Sequence, residues 1–72
     1  MLRDYVGNVM IDTAYTEWEK PHCKYETIVV KVGAKGKPLK DSWMKPLDLL
    51  RTGDEAQAIK NHAAMVQKYG KG

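Results

Sequence analysis

Between positions 9 and 16 the side chains alternate in character. Val9, Ile11, Thr13 and Tyr15 fall on one parity, and Met10, Asp12, Ala14 and Thr16 on the other. A period of two belongs to a strand with unlike faces. Gly7-Asn8 breaks the chain just before it, so a strand is predicted over 8–16. Leu2, Tyr5, Val6, Val9 and Met10 also fit a helical spacing. Residues 1–8 therefore stay open between a short helix, an extra edge strand and a loose arm.

A second strand is predicted over 25–32, Tyr-Glu-Thr-Ile-Val-Val-Lys-Val, which is rich in β-branched and aromatic side chains. It closes at Gly33-Ala34-Lys35-Gly36, a hairpin turn by its two glycines. Ile28, Val29 and Val30 are apolar in succession, so both faces of this strand carry hydrophobic groups. One helix can cover only one of them, and the other face must meet something else. The connection over 17–24 contains Pro21 and is long enough for a wide hairpin. A third strand is predicted near 47–51, following Pro46.

The last third carries a different period. Ala56, Ile59, Ala63 and Val66 recur at three- and four-residue spacing, and Ala58, His62, Met65 and Tyr69 widen that stripe. Thr52-Gly53-Asp54-Glu55 has the form of a capping box, with Thr52 accepting a backbone N–H and Glu55 reaching back. Gly70 suits the position just past a helix end, so a helix is predicted over 53–69. The whole pattern predicts an α+β fold: a small antiparallel β-sheet of about three strands, in the order β-β-β-α, with one C-terminal helix packed across it. Residues 1–72 form a single domain.

Length sharpens this picture. A chain of 72 residues buries only about 60% of its unfolded surface, and domains of this size lean on disulfides, a metal or a partner subunit. Cys23 is the single cysteine, which removes an internal disulfide, and no Cys/His spacing suits a structural zinc site. Self-association, as a dimer or larger, is the remaining expectation. An apolar share of 43% argues against wholesale disorder. No apolar run is long enough to span a membrane. Asp4 and Asn8 interrupt any signal-peptide core, so the expected compartment is the cytoplasm.

The net charge of +3 is unevenly placed. Residues 1–36 balance at zero and residues 37–72 carry the whole surplus, while the densest basic segment runs from Lys31 through Lys35, Lys37 and Lys40 to Lys45 with only Asp41 opposing. Such a cluster can attract phosphate. It equally suits a solvated loop that keeps a sheet edge from pairing, and it contains no Arg for two-pronged phosphate contacts. The chain has two Trp, four Tyr and no Phe. Aromatics with polar tips serve at interfaces or in base stacking, although half-buried packing accounts for them as well.

Catalytic machinery is scarce. His22-Cys23 could suggest an imidazole-activated thiolate, but neighbours on an extended segment point apart. No Walker loop, dinucleotide fingerprint, metal-ligand spacing or Ser-His-Asp arrangement is present. His62 lies on the apolar stripe, as a core-edge histidine bonded to the sheet backbone, Glu26 or Thr27, or else as a pocket-rim group contacting a ligand phosphate.

Tyr25-Glu26-Thr27-Ile28-Val29-Val30, followed by Leu50-Arg51-Thr52, Glu55-Ala56, His62 and Val66, resembles a group of small phage and prophage proteins with a YETMVF-type strand and a later T-x-x-EA helix containing a His. The resemblance spans about residues 9–69. Asn61 stands where a Gly usually precedes the His, and Lys45-Pro46-Leu47 lengthens the segment before the helix. The resemblance implies a viral accessory protein in the host cell cytoplasm and carries over no catalytic residues.

These readings converge on a non-enzymatic protein that acts by binding, without a cofactor or metal. One concrete form is a host-defence antagonist that sequesters a phosphorylated nucleotide signal as a homo-oligomer. Lys35, Lys37, Lys40 and Lys45 would neutralise phosphates, Trp18, Trp43 or Tyr25 would stack the base, and His62 would stand at the rim. The alternatives are an inhibitor that docks on one host protein, and a weak nucleic-acid binder.

Overall fold

The computed structural model describes residues 1–16, 24–33, 36–39 and 44–70. Among the described residues four strands, β1 (Leu2–Val6), β2 (Val9–Tyr15), β3 (Tyr25–Lys31) and β4 (Asp48–Thr52), precede one helix, α1 (Glu55–Gly70). The sheet is a meander in the order β1-β2-β3-β4, antiparallel at every step. The α+β architecture and the helix across the sheet match the sequence pattern, with one strand more than the three expected.

The added strand is β1, which decides the open case of residues 1–8. Val6 pairs with Val9 across Gly7-Asn8, a two-residue hairpin. Gly7 has φ of 56° while Asn8 keeps a negative φ, the pattern of a type II′ turn, which demands glycine at its first central position. The apparent helical spacing of Leu2, Val6 and Val9 therefore arises from a chain that reverses. The second turn also closes as expected: the Gly36 N–H donates to the Gly33 carbonyl at 3.0 Å and the Gly33 N–H to the Lys37 carbonyl at 2.8 Å. Gly36 has φ of 73°. Val32 and Pro38 then form a bridge, and the Leu47 N–H donates to the Val29 carbonyl, bringing the chain back beside β3 into β4.

Strand alternation divides the buried residues into two clusters. On the helix face, Val9, Ile11, Val29 and Met65 pack with Val6, Val66 and Tyr69. On the other face, Met10, Ile28 and Val30 pack with Val32. Met10 and Val30 are both fully buried. The centre of the second face is thus buried within one chain.

Two details of α1 differ from expectation. Its cap is Asp54, whose Oδ1 accepts the Ala56 N–H at 3.2 Å and whose carbonyl accepts the Ala58 N–H. Thr52 ends β4, and its hydroxyl accepts the Asp54 N–H in the intervening turn. Aspartate outranks threonine as a cap, so the helix begins at Glu55. The buried row is Ala58, His62 and Met65, rather than the row through Ala56, Ile59 and Ala63, which is exposed. The capture of His62 described below fixes that rotation. Among the described residues, no helix is long and apolar enough to cross a membrane.

Candidate functional site

The hairpin ends of β1-β2 and β3 leave a cleft between them. It holds about 430 Å³ and is lined by Tyr5, Gly7, Asn8, Val32, Gly33 and Gly36. Its shape follows from the two turns. Gly7 and Gly36 supply positive φ and carry no side chain into the space. Tyr5 and Val32 alternate onto the face away from α1, where Tyr5 lies opposite Met10, and Met10 opposite Val30. Tyr5 is 53% exposed, which leaves a ring available to a ligand. The Asn8 carboxamide can both donate and accept hydrogen bonds. Lys37 is exposed, and its carbonyl closes the Gly33 turn at the cleft's rim.

Arg3 stands two residues before Tyr5 on the same face. Its Nε donates to Asp12 Oδ1 at 3.2 Å. The hydrogen bond and charge of Asp12 raise the guanidinium above its ordinary value, and the Tyr5 side chain adds to that in the same direction. Arg3 and Tyr5 are therefore neighbours on one surface.

Of the residues expected at a site, Lys37 and Lys45 share the end of the sheet near the second turn. Lys45 is exposed, two residues before Leu47, which bonds to Val29. Tyr25 lies elsewhere. It pairs with Tyr15 and Thr52, with its ring 5.4 Å from that of Tyr15 in an edge-on arrangement. Burial, then the charges of Glu55, Tyr15 and Asp54, raise its phenol. Six strand positions separate it from Lys31, about 20 Å, so it cannot stack a ligand held by Lys37. Trp18, Lys35, Lys40 and Trp43 lie outside the described residues, as do His22 and Cys23 of the thiolate reading.

His62 does not reach the cleft. It is 4% exposed beneath the sheet, with Nδ1 2.7 Å from Thr13 Oγ1 and Nε2 2.7 Å from Asp4 Oδ2. Thr13 Oγ1 lies 2.7 Å from Thr27 Oγ1. A carboxylate only accepts, so Nε2–H donates to Asp4. In the neutral ring Nδ1 then accepts from Thr13, and Thr13 accepts from Thr27. The core-edge expectation was right about burial and wrong about the partners. Thr27 is one bond removed, and Glu26 points to the opposite face, where Arg51 Nε donates to it at 3.1 Å.

An Asp-His-Thr chain has the order of a hydrolase triad. Thr13 is 0% exposed, however, and a nucleophile that no substrate can touch attacks nothing. The chain fastens β1, β2, β3 and α1 together. Among the described residues no three His, Cys, Asp or Glu side chains gather to hold a metal ion.

Sequence reasoning missed Tyr5, Asn8 and Gly7 as a group. The available signal was Gly7-Asn8 itself: a hairpin there sets Tyr5 beside Met10 and points it across β2 toward the second turn. No protein-family model, no curated protein and no solved structure matches this chain.

Proposed function

We propose that this protein acts by binding a phosphorylated nucleotide in the cleft between its two turns, as a homo-oligomer and without chemistry of its own. The observation that carries the reading is the meeting of an exposed tyrosine ring with glycine turns, an amide side chain and the Lys37 turn in one concavity. Tyr5 stacks the base, Asn8 reads its hydrogen-bonding edge, and Lys37 neutralises phosphate. In the setting that the phage resemblance implies, such binding withdraws a nucleotide signal from a host defence.

Titration calorimetry with nucleoside mono-, di- and triphosphates and cyclic dinucleotides tests it. One class of ligand gives a saturable heat, and Tyr5→Ala weakens that binding by about tenfold, within the range for lost base–aromatic stacking. No saturable heat with any ligand, or unchanged binding by Tyr5→Ala, overturns the reading.

A second reading, docking on a host protein, draws on the exposed Met44, Leu47 and Leu49 around β4. It predicts a partner that stays bound in moderate salt and is lost on Leu49→Lys. Weak nucleic-acid binding through the lysines predicts instead a steep fall of affinity with salt.

A further inference from the structure

The apolar row that α1 leaves in solvent lies along one flank. Helical spacing aligns Ala56, Ile59, Ala63, Val66 and Gly70 beside the buried row. Ala56, Ile59 and Ala63 are exposed and Val66 is half-buried. None of the five carries a charge. This flank overlooks β1: a Cβ on Gly70 would meet Val6 Cγ1 at 4.0 Å, and neighbouring His62 bonds Asp4. The other flank carries Lys68, whose Nζ donates to Asp48 of β4 at 2.8 Å.

Among the described residues β1 is also an open edge of the sheet. Pairing through a two-residue turn makes Leu2, Asp4 and Val6 the residues hydrogen-bonded to β2. The N–H and C=O of Arg3 and Tyr5 therefore point away from the sheet. The opposite edge is blunted, because Asp48 Oδ1 accepts the Leu49 N–H at 3.1 Å. An open strand edge and an uncharged helical flank thus share one side of the molecule.

We propose that a second copy of the chain covers both. Two chains pair antiparallel along β1 about a two-fold axis, joining two four-stranded sheets into one of eight strands and setting the α1 helices flank to flank. Ala56, Ala63 and Gly70 permit close approach, and Ile59 fills the space between the helices. Charge selects the register. Centring on Arg3 opposes Arg3 to itself, and centring on Asp4 opposes Asp4 to itself, each a destabilising like-charge pair. Centring on Tyr5 sets Tyr5 against Tyr5, Asp4 against Val6 and Arg3 against Gly7, and no like charges meet.

That register completes the cleft. Gly7 lines it, and Arg3 of the partner subunit arrives opposite Gly7 on the same face as Tyr5. A guanidinium offers the two-pronged phosphate contact that lysines lack. This contribution rests on the nucleotide reading, whereas the dimer itself does not.

Sedimentation equilibrium without ligand tests the dimer. The native chain sediments at twice its 8.2 kDa, and Ile59→Lys, a substitution at an exposed position, returns it to the single-chain mass with its circular dichroism intact. In a Cys23→Ser background, Tyr5→Cys oxidises to a linked dimer, since Cα atoms in a bonded antiparallel pair lie about 5.5 Å apart, within disulfide reach. Arg3→Cys stays unlinked, four strand positions or about 14 Å from its mate. A single-chain mass at every concentration, a dimer indifferent to Ile59→Lys, or linkage at Arg3 in place of Tyr5 overturns the interface. Nucleotide titration of Ile59→Lys separates the two claims. Affinity reduced about tenfold supports the shared cleft, and affinity equal to the native chain's overturns the role of Arg3 while leaving the cleft standing.

Discussion

Replacing Thr13 by valine keeps its shape and removes one hydroxyl. That hydroxyl serves both His62 Nδ1 and Thr27 Oγ1, so two polar groups lose a partner. His62 and Thr27 are 4% and 1% exposed, and water cannot replace what is lost. Leaving a buried polar group unsatisfied costs about 1–3 kcal/mol. Two such groups, less a small gain from the added methyl, set the expected loss for Thr13→Val at about 2–4 kcal/mol. A domain of this length is stable by about 4–10 kcal/mol, so the loss is a large fraction of the whole. With a urea slope near 1 kcal/mol per molar, the unfolding midpoint drops by roughly 2 M or more.

Thr27→Val supplies the internal control. Thr13 stands in the middle of the chain and Thr27 only ends it, so removal of the Thr27 hydroxyl costs about 1 kcal/mol. Urea unfolding followed by circular dichroism reads both variants. Equal losses for the two would refute Thr13 as the shared partner of His62 and Thr27. A loss for Thr13→Val below about 0.5 kcal/mol, the scatter of neutral substitutions, would refute the chain as a fastening of the fold.

Other consequences are smaller and independent. Asp54→Ala removes the cap of α1 and lowers stability by about 1 kcal/mol, whereas a Thr52→Ala loss larger than that of Asp54→Ala would return the cap to Thr52. Gly7→Ala forces a side chain into positive φ and costs about 1–2 kcal/mol, read as a fall in thermal midpoint; an unchanged midpoint contradicts the turn assignment. The hydrogen bond and charge of Lys68, with Tyr69 and the Leu49 N–H, hold Asp48 below its ordinary 3.8 despite partial burial. A depressed folded value stabilises the fold above the unfolded value, and that stability is lost as pH falls through the folded value. The gap between native and Asp48→Asn stabilities is therefore present at neutral pH and closes below 3.8. A gap that persists in acid contradicts the pairing.

What the sequence revealed was local. The alternation of Val9 to Thr16, the β-branched run at Tyr25 and the apolar period from Ala56 to Tyr69 specified strand, strand and helix, because each depends only on neighbours in the chain. β1 stayed hidden because its five residues repeat no period of their own. Leu2, Asp4 and Val6 become one face only after the Gly7-Asn8 turn has set them against Thr13, Ile11 and Val9.

The rotation of α1 was hidden for a related reason. Two adjacent stripes were both apolar, and hydrophobicity cannot choose between Ile59 and His62. The choice fell to hydrogen bonds between residues 49 and 58 positions apart in sequence, which no local pattern encodes. The site followed the same rule. In the proposed cleft the aromatic is Tyr5, brought from the other end of the chain to Gly33 and Gly36, whereas Tyr25 pairs with Tyr15 and Thr52 at the far end of the sheet, a placement that only the register reveals.

The most direct measurement of the binding claim is amide chemical-shift mapping of the native chain titrated with a nucleoside triphosphate. Saturable shifts are expected at Tyr5, Gly7, Asn8, Gly33 and Gly36, which line the cleft, with Tyr15, Tyr25 and Thr52 at the far end of the sheet unmoved. Shifts confined to the far end, or none at saturating ligand, would contradict it.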